Sequence, residues 1–204
     1  MASYHAVNAV LLALENFFTE RLPNELTDGP INARVELLGS SDITSPISGN
    51  VLGIYLHRLE IDAHGRARHF TPTGTSNGHR VSELPVNLHL LLIASASSAT
   101  IEANLMAWAM IELANNSQLD ISHLSENDSD WTEKEILTIT PAEMSNEDLM
   151  RIWDVFESDY TSSVPYIGRT IRLRLQEPES IAEPVTTRVF PTGKAISSSE
   201  EAVS

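Results

Sequence analysis

The segment Val86 to Ser95 limits the fold more than any other. Leu88, Leu90, Leu91, Leu92 and Ile93 make it apolar on both faces over part of its length, as expected of a central strand covered on both sides. Pro85 opens it, and Ser98 is placed to cap a helix running to about Asn115. From Leu105 to Ala114 only Glu112 is polar. A helix covering one sheet face needs an apolar stripe of about 100°. The surplus predicts a second contact, against another helix or a neighbouring subunit. Met106, Trp108 and Met110 suit either contact and are candidate subunit-interface residues.

The remaining elements arrange themselves around this pair. Val7, Val10, Leu11, Leu14 and Phe18 recur at helical spacing between Ser3 and Arg21, and Pro23 with Asp28-Gly29-Pro30 turns the chain. Arg34 to Leu38 and Val51 to Ile61 read as strands, as do Ile136 to Thr140 and Val164 to Leu175. Ser145-Asn146-Glu147-Asp148 resembles a capping box ahead of the stripe Leu149, Ile152, Trp153 and Phe156. Asp62 to Glu83 is a long polar excursion, read as an arm, and Gln118 to Lys134 is an acidic loop. After Gln176 the chain turns rich in Glu, Pro, Ser and Thr. The fold class expected is α+β: a mixed β-sheet flanked by about three helices, mostly on one side, with a long polar arm and an extended C-terminal tail. Residues 1–176 form the domain and 177–204 the tail.

Charge and composition narrow the function. The 204 residues carry 28 acidic and 13 basic side chains, a formal net charge of −15. Such a surface repels nucleic-acid phosphates and anionic lipid, so neither is an expected partner. Cysteine is absent, which excludes disulfides, thiolate nucleophiles and sulfur-ligated metals. No apolar run approaches the ~18–20 residues that span a bilayer, and membrane insertion is not expected. Without a basic lead and apolar core at the N-terminus, synthesis in the cytoplasm is the expectation.

Signatures of chemistry are missing too. His57, His64, His69 and His79 share one region, with His89 on the next strand, but no pair has the helical i, i+4 spacing of a zinc site. Nine glycines form neither a Gly-x-Gly-x-x-Gly nor a phosphate-cradling pattern, and no Gly-x-Ser-x-Gly elbow occurs. No enzyme, cofactor, catalytic residue or metal site is expected. Basic residues do concentrate at Arg169, Arg172 and Arg174. Arg172 and Arg174 alternate with Ile171, Leu173 and Leu175, which join Ile167 on the apolar side; Arg169 interrupts that side. Such arginines either dock a partner or blunt an edge strand against aggregation. The tail's Val185-Thr186-Thr187-Arg188-Val189-Phe190 is β-prone and suits strand addition to a neighbour's sheet, with Val185, Arg188, Val189 and Phe190 as contacts.

Several segments in series resemble a known family. They are Asn50 to Glu60, Leu84 to Leu92, the Ala99 to Leu119 helix, Leu149 to Phe156 and Tyr166 to Leu175. Together they resemble the conserved N-terminal domain of the cap, or tail-terminator, proteins of contractile injection systems, phage-tail-like particles of the antifeeding-prophage and virulence-cassette type. The resemblance covers about residues 1–176. It departs at the helix start, where Ile101-Glu102-Ala103-Asn104 stands in place of basic residues after the cap. The resemblance implies a structural protein without chemistry. It implies a homo-hexameric ring on the last layer of the inner tube, ending polymerisation and anchoring the terminal sheath ring, with tube and sheath proteins as partners. The particle would be assembled in the cytoplasm and be open to later release. A cap adaptor, or a monomeric adaptor binding through the C-terminal strand, is the alternative.

Overall fold

A computed structural model describes residues 4–63, 83–119, 131, 136–156 and 159–174. The strands are β1 (Arg34–Leu38), β2 (Val51–Ile61), β3 (Glu83–Ser95), β4 (Gln118–Leu119), β5 (Leu137–Pro141) and β6 (Ser163–Arg174). They form one six-stranded sheet in the order β1-β2-β3-β6-β5-β4. β1 runs parallel to β2 and the other pairings are antiparallel, so the sheet is mixed as expected. β3 lies inside it, between β2 and β6.

Successive strand residues face opposite sides, and the two sides of β3 enter different cores. Leu88, Leu90 and Leu92 join Leu52, Ile54, Tyr166 and Ile171 in the larger one. Helices α1 (Ala6–Arg21) and α4 (Ala99–Asn115) cover that side. Alanines 6, 9 and 13 let α1 lie close, and the Phe18 and Trp108 rings meet edge-on at 5.7 Å where the two helices touch. Leu91 and Ile93 face the other side, where they pack with Tyr55, Trp153 and Phe156. Helix α5 (Asn146–Phe156) and the single turn α3 (Ser40–Ile43) cover that second core, and the short α2 (Asn24–Thr27) follows α1.

Two of the three long helices, α1 and α4, thus share one side of the sheet, in keeping with helices mostly on one side, while α5 takes the other. A strand apolar on both faces needs cover on both; α5, with its single stripe of Leu149, Ile152, Trp153 and Phe156, supplies the second layer.

Local signals set the helix starts. Ser98 Oγ accepts from the Ile101 amide at 3.4 Å, capping α4 as read from sequence. Ser145 Oγ accepts from the Asp148 amide at 3.1 Å and donates to Asp148 Oδ2 at 2.7 Å. The carboxylate of this cap thus grips the capping hydroxyl itself, at the end of α5 where the helix dipole favours negative charge. Buried Asn50 ties two connections together: its amide nitrogen donates to the Ile31 carbonyl, and its Oδ1 accepts from the Ser97 amide at 2.7 Å.

Two regions differ from the sequence reading. The stretch read as a polar loop from Gln118 begins with β4, and both Leu119 and Trp131 are buried in the larger core. Of the expected arm, Asp62 to Glu83, residues 64–82 lie outside the described residues, as does the whole of the expected tail, 177–204. Among the described residues no helix is long and apolar enough to cross a membrane.

Candidate docking surface

The helices are too short to cover the sheet along its whole length. α4, with 17 residues, is about 25 Å long, whereas β3, with 13, extends about 43 Å. β1 accompanies β2 only from Val51 to Tyr55, and β5 accompanies β6 only from Tyr166 to Arg169. The far ends of β2, β3 and β6 therefore project together as a three-stranded tongue.

One face of this tongue continues the larger core into solvent. Leu59 and Ile61 on β2 pair with Leu88 and Val86, and Leu84 on β3 pairs with Leu173 of β6. Val86, Leu88 and Ile171 are buried, but Leu59 is 52% exposed, Ile61 49% and Leu84 36%.

The opposite face is polar. Arg58 and Glu60 on β2 stand across from His89 and Asn87 on β3. Glu60 holds both neighbours: one carboxylate oxygen pairs with Arg58 Nη2 at 2.9 Å and the other with His89 Nε2 at 2.8 Å. The Arg58–Glu60 pair is the more exposed of the two, of a kind that contributes about 0–1 kcal/mol. The His57 ring meets that of His89 edge-on at 5.9 Å. Burial, then the neighbouring His89 and Arg58, lower the His57 pKa to about 4, so this ring is neutral at pH 7.

A bulge in β6 fixes where its arginines point. Val86 pairs with Ile171 and Leu88 with Gly168, so β6 carries an extra residue there. The extra residue inverts the alternation. Ile167 consequently faces the side of His89 while Ile171 faces the larger core, correcting the expectation that they share a face. Arg169, expected to interrupt the apolar side, joins Arg172 on the polar face, and both side chains are exposed. Thr170 Oγ1 donates to Asn87 Oδ1 at 3.3 Å between them. Arg174 ends β6 in register with Glu83. β6 is an interior strand over its first half, with an open flank past Arg169 among the described strands.

Of the proposed interface residues on α4, Met106 is buried in the chain's own core and Trp108 is half-buried against it, in contact with Phe18. Met110 is 42% exposed and its neighbour Ile111 58%. Ala103, Ala107, Met110 and Ala114 form the outward stripe of the helix. Val185, Arg188, Val189 and Phe190 lie outside the described residues. The sequence reading does not single out Leu59, Ile61, Leu84, Arg58 and Glu60 as surface residues. Their signal was the alternation Arg58-Leu59-Glu60-Ile61, which persists beyond the reach of the helices. His64, His69 and His79 also lie outside the described residues; among those described, no group of three or more His, Asp or Glu side chains could hold a metal.

The model of the Pvc16 N-terminal domain family matches residues 9–187. The chain belongs to this family. No curated relative matches the sequence. Within solved structures, this Pvc16 N-terminal domain resembles the sheath/tube terminator, in its extended state, of an extracellular contractile injection system. The likeness has a TM-score of 0.56 at 16% identity and covers 95% of this chain and 65% of that one. It also resembles the tube-terminating cap of the anti-feeding prophage, with a TM-score of 0.50 at 15% identity over 91% of this chain and 59% of that one. The chain thus spans less than two thirds of either neighbour's length. At such identities the likeness establishes a shared fold.

Proposed function

We propose that this Pvc16 N-terminal domain is a structural cap on a contractile injection particle: it forms a ring on the end of the inner tube, ends tube polymerisation and anchors the terminal sheath ring. The observation that carries the reading is its family membership, joined to a fold shared over 95% of the chain with a sheath/tube terminator. The role is geometric and needs no catalysis, cofactor or metal. A closed ring requires a head-to-tail interface in which one patch meets a different patch of the next copy. The outward stripe of α4 with Met110 and Ile111 supplies an apolar patch for it. Arg169 and Arg172 supply a basic docking face in an acidic chain, and Arg174 follows them at the end of β6.

The ring is read as a hexamer, assembled in the cytoplasm on a particle that acts outside the cell. The test removes the protein from the producing cell and adds it back. Tubes of uncontrolled length without it, restored to one length by the wild type, are expected. Normal lengths in its absence overturn the role, as does light scattering that finds only monomer both alone and with tube fragments.

A further inference from the structure

Among the described strands the sheet ends at β1, and an end strand offers its outward main-chain groups to any strand that meets it. The Arg34 amide donates to the Asn50 carbonyl at 3.0 Å, on the side of β2. Main-chain groups alternate in direction along a strand, so the amides of Ala33, Val35 and Leu37 turn to the outer side. The first and last of these are held by the chain's own helices. The Ala33 amide donates to the Leu26 carbonyl of α2 at 2.8 Å, and the Leu37 amide donates to Glu15 Oε1 of α1 at 3.3 Å. Described groups thus stand where the ladder of a further strand would run.

The two partners are not equivalent. The Leu26 carbonyl is fixed in the backbone of α2, whereas the Glu15 carboxylate sits on a side chain that can turn away. Glu15 is half-buried on α1, between the buried Leu14 and Phe17. Val35 and Leu37 face the larger core beside that helix, and Arg34 is exposed.

We propose that the outer edge of β1 is a strand-addition surface for a second copy of this chain, held closed by the Glu15 carboxylate. β1 itself favours a second copy as the occupant. Two β1 strands set antiparallel about Val35 bring Arg34 of each against Glu36 of the other, and opposite charges on adjoining strands attract. In the single chain Arg34 pairs with its own Glu36, so association exchanges one carboxylate for another. The arrangement is self-complementary, as a two-fold contact between identical copies requires. It also directs the Leu37 amide to the incoming strand, and that donor is the one Glu15 holds. Pairing through the edge therefore requires Glu15 to let go. This inference does not depend on the capping role.

Glu15→Ala and Glu15→Gln in the full chain test it. Alanine favours the helix, while glutamine keeps a carbonyl oxygen for the Leu37 amide. In dilute solution, hydrogen exchange at the Leu37 amide should be about tenfold faster in Glu15→Ala than in the wild type, and near the wild-type rate in Glu15→Gln. As concentration rises, light scattering should find Glu15→Ala at about twice the wild-type mass. Adding Leu37→Pro removes the donor, at a position whose N–H faces outward and so tolerates proline, and should abolish the doubling. Unchanged exchange in Glu15→Ala overturns the contact. A mass equal to that of the wild type, a doubling that survives Leu37→Pro, or the same doubling in Glu15→Gln each overturns the closed edge, whatever the particle's length control shows.

Discussion

Trp153 donates its indole Nε1–H to Ser163 Oγ at 3.1 Å, with both residues buried. This bond joins α5 to the first residue of β6 inside the smaller core. Ser163→Ala leaves the indole N–H unpaired and should lower stability by about 1–3 kcal/mol, read from the urea midpoint. An unchanged midpoint would show that the bond adds nothing to the α5 layer.

Gly53 is required by space. A Cβ there would overlap Leu38 Cδ1 and meet its Cγ at 2.9 Å. Gly53→Ala should therefore cost about 1–3 kcal/mol through overpacking. Adding Leu38→Ala should relieve that clash, making the double substitution less harmful than the sum of the two single ones. Strict additivity would disprove the steric account.

His57 makes stability depend on pH. Its folded pKa of about 4 lies below its ordinary 6.5. The unfolded chain therefore takes up the proton first, and stability present above pH 6.5 is lost as pH falls toward 4. Urea midpoints at pH 7 and pH 4.5 should fall further for the wild type than for His57→Gln. Carboxylates common to both proteins cancel in that comparison, so parallel declines would count against a buried neutral ring.

Reversing Arg169 and Arg172 to Glu should leave the fold intact, changing stability within about 0.5 kcal/mol because both are exposed. If they dock tube or sheath, electron micrographs will show particles of uncontrolled length. Normal lengths would leave them as surface charge alone.

Ile111→Glu places a charge on the outward side of α4, where Ile111 is 58% exposed. The monomer should keep its stability within about 0.5 kcal/mol, while the ring weakens or fails to close. Light scattering with tube fragments separates the two effects; an intact ring means that α4 is not the contact.

Much of this architecture is legible in sequence because its causes are local or periodic. The double-sided run Leu88–Ile93 marks an interior strand, Ser98 and Ser145 mark helix starts, and the stripe from Leu149 to Phe156 marks a one-sided helix. What escapes depends on partners distant along the chain. Nothing near Trp131 announces that it reaches the larger core, and nothing in α5 states which side of the sheet it will take. The surplus apolar face of α4 was real but smaller than it looked. Phe18 from α1 takes up Trp108, leaving Met110 and Ile111 outside. On the docking surface, the arginines could be found from charge alone; their shared direction could not.

That shared direction comes from the surplus residue between Gly168 and Ile171. It works as a phase inverter: the pattern before it and the pattern after it are half a wavelength apart. Deleting Thr170 would straighten the strand yet keep Gly168 and Ile171 on the core side and Arg169 and Arg172 on the polar side. Regular pairing with Thr170 retained would instead force a choice: either Ile171 stays in the core and Tyr166 and Gly168 swing outward, or the arginine end of the strand turns over and lifts Ile171 into water. The basic face of this protein is thus written less in which residues it has than in where the strand miscounts.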